Sequence, residues 1–122
     1  MPFLNPEKSK WIIAGKKNTL ELPVIEDVSM EELLWFRNKQ KEIEQLKKDG
    51  NSSALLNVDE EWWEHVCTIG LGTTSEKIFK TGISAPKFRE LMAEVYSFLT
   101  LWSTVEEAKL SGYYDQKTET KD

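Results

Sequence analysis

Residues 84–112 read SAPKFRELMAEVYSFLTLWSTVEEAKLSG, and this stretch decides the fold. Phe88, Leu91, Met92, Val95, Phe98, Leu99, Trp102 and Val105 recur three or four residues apart, which is one broad apolar stripe at the period of a helix. Lys87, Arg89, Glu90, Glu94, Ser97, Thr104, Glu106 and Glu107 fall between them. Ser84 supplies a cap acceptor, and Pro86 stands in the first turn, where a missing N–H costs nothing. Lys109 complements the helix dipole at the far end, and Gly112 is free to turn left-handed. The spacing therefore predicts one long helix from Ser84 to Gly112. Ordering that many residues costs more than the burial of one stripe returns, so the helix needs partners elsewhere in the chain.

Upstream, residues 74–82 (TSEKIFKTG) read as a short helix capped by Thr74 or Ser75 and closed by Gly82. Before it, VDEEWWEHVCTIG at 58–70 predicts a helix capped by Asn57, with Asp59, Glu60 and Glu61 in the dipole-favoured first turn. Residues 51–57, NSSALLN, read as a loop or short turn. Ser29-Met30-Glu31-Glu32 fits a capping box, and Asp49-Gly50 stops the helix that it opens. That helix carries Met30, Leu33, Leu34, Phe36, Ile43 and Leu46 as its stripe. Its polar second half is expected to project into solvent. Lys10–Ala14 and residues 19–24, on either side of GKKN, predict a hairpin whose second strand is an edge or ends at Pro23.

The expected fold is mainly α with a small N-terminal β-hairpin, a compact bundle of three to four helices. Residues 1–9 form an N-terminal arm, 10–112 a single domain, and 113–122 a disordered tail. Hydrophobic residues are 39% of the 122, with five Trp, five Phe and three Tyr as bulky core material. The net charge is −5, which argues against a nucleic-acid partner, because no basic patch exists to displace counterions from phosphates. Cys67 is the single cysteine, so no intrachain disulfide forms and a reducing cytoplasm is the expected compartment. No apolar run approaches the ~18 residues of a membrane span.

The residue types that carry chemistry are sparse. His65 and Glu61 stand at i,i+4, a spacing that permits a two-point metal site, but the ordinary reading is a histidine beside a carboxylate. His65 and Cys67 point to different helix faces, so Cys67 is expected to be a small buried hydrophobe. GLGTTSEK at 70–77 lacks the Gly-Lys-Ser/Thr ending of a phosphate loop. No catalytic residue, metal ligand or cofactor is assigned, and the protein is read as no enzyme. Adjacent Trp62 and Trp63 lie about 100° apart on a helix, so either both sides of that helix are covered or one indole faces a partner. Trp35 beside Phe36 poses the same question. Trp35, Trp62, Trp63, Tyr96 and Phe98 are the candidate protein-binding residues.

The order of elements resembles that of the tail assembly chaperones of long-tailed bacteriophages, over roughly residues 10 to 105. Leu22-Pro23-Val24 stand where that family carries an aliphatic "LP" stretch in its β segment. Ser84-Ala85-Pro86-Lys87-Phe88-Arg89-Glu90-Leu91 stand at the entry to its late amphipathic helix. The resemblance implies a non-enzymatic protein of the infected host cytoplasm. Such proteins coat the helical tape measure protein, keep it soluble and recruit tail tube subunits, with homo-oligomers possible. Some members are extended by a ribosomal frameshift, which would join here after Gly112. The alternative reading, from the acidic balance, is a small inhibitor that occupies a basic site on a host enzyme or nucleic-acid-binding protein.

Overall fold

The computed structural model describes residues 3–102 and 104–111. Its elements run β1 (Leu4–Asn5), β2 (Lys10–Ala14), β3 (Thr19–Pro23), α1 (Met30–Asp49), α2 (Ser52–His65), α3 (Ser75–Phe79), α4 (Ala85–Ser97) and α5 (Val105–Leu110). The chain is mainly α with a small N-terminal antiparallel sheet, as the sequence predicts.

The stretch 84–112 is the centre of the core but not one helix. Ser84 caps α4 by accepting the Lys87 N–H at 3.4 Å. The helix runs to Ser97, widens into a π turn over Phe98–Trp102, and stops. Thr104 then opens α5 as a fresh N-cap, its hydroxyl accepting the Glu107 N–H at 3.1 Å. The Glu26 carboxylate accepts the Val105 N–H as well, so two orphan donors of the new helix start are satisfied. Thr-x-x-Glu at 104–107 is a start signal that the continuous apolar stripe conceals. All eight stripe residues still reach the core or pack against it, Val105 from α5 rather than from a continuing helix. Gly112, expected to end the helix, and the expected tail at 113–122 lie outside the described residues.

The hairpin forms with Trp11 opposite Leu22 and Ile13 opposite Leu20. Alternation sends Trp11 and Ile13 into the core, where neither is exposed. The second strand ends at Pro23. The segment expected as an arm instead adds a third strand, Leu4 pairing with Trp11 and Asn5 with Lys10. Glu94 of α4 fastens it: its carboxylate accepts the Phe3 N–H at 2.8 Å and the Leu4 N–H at 2.7 Å. The hairpin turn docks on the other end of the core, with the Lys17 N–H donating to the Thr81 carbonyl at 2.8 Å. Gly15 sits so close there that a Cβ would lie 2.0 Å from the Thr81 oxygen.

The capping box at Ser29 and Glu32 is present with both hydrogen bonds at 3.2 Å. Gly50, at φ 72°, closes α1. Asn51, not Asn57, caps α2, its side chain accepting the Ala54 N–H at 3.2 Å. Residues 52–57 are therefore helix rather than loop, because the cap at Asn51 is a single residue beyond the stop at Gly50. So short a connection folds α2 back along α1. The polar half of α1 consequently lies against α2 instead of projecting alone, with Ile43 and Val58 buried and Lys39 bridging to Glu61 at 3.2 Å. Helix α2 ends in its own π turn, Val66–Leu71. Gly70 in that turn meets α4 so closely that a Cβ would stand 2.5 Å from Val95 Cγ1.

Candidate protein-binding groove

Phe36, fully buried on α1, is the hub of an aromatic cluster. Trp35 meets it edge-on at 5.4 Å, Tyr96 at 5.9 Å and Trp62 at 6.4 Å, and Trp62 and Tyr96 touch each other at 5.4 Å. The three approaches to Phe36 are T-shaped and place positive ring edges on negative faces. The Trp62-Trp63 pair splits as the helix geometry requires. Trp62 faces α1 and Tyr96, whereas Trp63 turns to Phe88, which also carries Phe79. Both are half-buried against the core. The Trp62 N–H is buried without an acceptor among the described residues, so this side chain contributes area rather than a polar anchor.

Phe98 is 1% exposed and packs edge-on against Trp11 at 5.5 Å. It is a core residue, a correction to its place among the candidate binding residues. The stripe continues through the π turn, and that turn carries Phe98 inward. Tyr96 and Trp62 are half-buried beside Phe36 and do not stand clear of the fold. Of the five, Trp35 lines an open depression.

That depression, about 420 Å³, lies between the start of α1 and the π turn after α2, and is lined by Glu31, Glu32, Trp35, His65, Thr68 and Ile69. The Trp35 indole lies flat on the His65 imidazole, centroids 3.6 Å apart and planes 10° from parallel. Lys39 Nζ stands 5.5 Å from the Trp35 ring centroid. It is held there by Glu42 at 3.1 Å and Glu61 at 3.2 Å. The hydrogen bond to Glu42 raises the Lys39 pKa above its ordinary value; partial burial opposes the shift and Glu61 adds to it. Glu32 answers Ser29 in the capping box, whereas the Glu31 carboxylate has no partner among the described residues. On the face of α1 turned from the core, Met30 and Leu34 are 66% and 44% exposed and one turn apart. They add exposed apolar surface to α1 that the fold does not use.

Glu61, His65 and Cys67 are each engaged within the fold. The Glu61 carboxylate goes to Lys39, and His65 Nδ1 is 3.3 Å from the Glu61 backbone oxygen, so the two do not converge as metal ligands. Among the described residues no three His, Cys, Asp or Glu side chains are grouped to hold an ion. Cys67 is buried beside Met92, its Sγ 4.0 Å from the Met92 sulfur, and burial with the nearby Glu64 charge pushes the thiol up to about 12. A thiol so poised is inert as a nucleophile. Gly72 and Thr74 serve as helix caps.

Sequence reasoning found Trp35 but missed His65 as its stacking partner and Lys39 as the cation holding α1 to α2. Glu42 three residues after Lys39 was a readable signal. The Trp35–His65 pairing crosses between helices, and no local pattern announces it. The chain matches no protein-family model, no curated protein and no solved structure. Among the described residues, no helix is long and apolar enough to cross a membrane.

Proposed function

We propose that this chain is a non-enzymatic protein-binding module that seats an apolar helix of a partner along α1. The observation that carries the reading is the open Trp35–His65 groove on a helix that also exposes Met30 and Leu34. An amphipathic client helix lays i, i+3/i+4, i+7 anchors into such a surface. An aromatic floor that is already stacked loses little rotamer freedom on binding. The inert Cys67 thiol and the ion pair that engages Glu61 support a binding role over catalysis.

The resemblance to tail assembly chaperones supplies the client. In this proposal the protein works in the cytoplasm of an infected cell, coats the tape measure protein along its length, and gives way as tail tube subunits assemble. Many weak contacts along one long client make such a coat both avid and displaceable. The test is co-expression with the tape measure protein of the same phage, followed by size-exclusion chromatography. The proposal expects a soluble complex that elutes together at low and high salt. An insoluble tape measure protein with no co-elution contradicts it, and a complex lost steeply as salt rises favours the acidic-inhibitor alternative.

A further inference from the structure

We infer that the partner segment seated in this groove carries an arginine side chain that lies against Trp35 and Ile69 with its guanidinium on Glu31. The inference rests on the protein-binding reading and specifies its chemistry. Two carboxylates, Glu31 and Glu32, are the charged groups of the lining. The α1 N-terminus returns only about half a positive charge against them, so the groove stays negative. The nearest described cation in contact with the groove's aromatic floor, Lys39, is already held by Glu42 and Glu61. Glu32 is engaged by Ser29, and Glu31 is left exposed with no partner among the described residues. Charge complementarity therefore selects a cationic occupant, and the apolar surface that Trp35 and Ile69 contribute to the lining selects which one. Arginine is weakly hydrated, stacks on aromatic surfaces along its stem and guanidinium, and presents a fork that fits a carboxylate. Lysine offers a strongly hydrated point charge that gains less from such a floor.

The test uses the full chain and three fluorescein-labelled amphipathic leucine–alanine helical peptides of about 18 residues, a length of five turns. The peptides are identical except for one flanking position, which is arginine, lysine or glutamine. Fluorescence anisotropy gives each Kd for the wild-type protein and for Glu31→Gln, an exposed change that leaves the core intact. The arginine peptide is expected to bind about threefold to tenfold tighter than the glutamine peptide at about 50 mM salt, the advantage shrinking at about 500 mM and vanishing in Glu31→Gln. Equal binding of the arginine and glutamine peptides, a lysine peptide as tight as arginine, or an advantage that survives Glu31→Gln overturns the inference while leaving the groove reading intact. If none of the peptides binds, or Leu34→Glu leaves their binding unchanged, the groove reading itself fails and the inference with it.

Discussion

Trp35 of α1 and His65 at the end of α2 stack face to face, with ring centroids 3.6 Å apart. The contact joins two helices at the edge of the groove, so it serves the fold and the binding surface together. His65→Ala is expected to cost about 1 kcal/mol of stability, the worth of an aromatic pair beyond its area. A urea midpoint that does not move would show that the stack contributes nothing to the fold.

Lys39 makes a pH prediction. Its pKa is raised above 10.5 in the folded protein, first by the hydrogen bond to Glu42. A raised pKa means that the folded state holds this proton more tightly than the unfolded chain. The stability from Lys39 is therefore fully present below the ordinary lysine pKa and is lost as pH rises through the raised folded value. Between neutral pH and the alkaline limit, wild type should lose more stability than Lys39→Met, measured by thermal melts of both across that range. Parallel pH profiles would refute the coupling.

Gly70 tests the packing of the π turn on α4. An added Cβ would stand 2.5 Å from Val95 Cγ1 and 3.2 Å from Leu99 Cδ1. Gly70→Ala should destabilise by about 1–3 kcal/mol through overpacking. Val95→Ala removes the clashing methyl, so the double variant should be less unstable than the sum of the two single changes. Strict additivity in denaturant titrations would mean that the turn relaxes without Val95.

Glu94 holds the first strand. Its carboxylate is the acceptor for the Phe3 and Leu4 amides, and bonds of this charge-assisted kind contribute about 1.5–3 kcal/mol. Glu94→Gln should raise hydrogen exchange at Phe3, Leu4 and their partner Trp11 well before it reaches Leu91 or Val95. Uniform acceleration across the chain would place Glu94 in the global core instead.

The sequence discloses the parts whose signals are local. Ser29 with Glu32, Gly50, Ser84 with Pro86, and the stripe from Phe88 to Val105 all act within one or two helical turns, and each appears where expected. The errors arose where two local signals compete. At 51–57 the turn residues Asn51 and Ser52 masked a helix cap one residue past a helix stop. At 102–105 the apolar period ran on through a π turn and a new cap at Thr104, which only the interruption of the backbone reveals. Leu4 joined the sheet because a carboxylate 90 residues away accepts its amide, and long-range partners of that kind leave no periodic trace. For the candidate site the aromatic residues were legible, but their exposure was not. Phe98 and Trp35 look alike in sequence, and tertiary packing buries one while leaving the other at a groove.

Placement of a single charge tests most directly whether the α1 face beside Trp35 receives the partner. Leu34 is 44% exposed on α1, next in sequence to Trp35, and Leu110 is 79% exposed on α5. Each tolerates Glu without burying a charge, so neither variant should lose its fold. With the proposed client, a tape measure protein, co-expressed, Leu34→Glu is predicted to lose at least about tenfold in affinity, the scale of an interface hot spot, while Leu110→Glu binds like wild type. Equal binding by Leu34→Glu and wild type, or loss confined to Leu110→Glu, would contradict the assignment of this face.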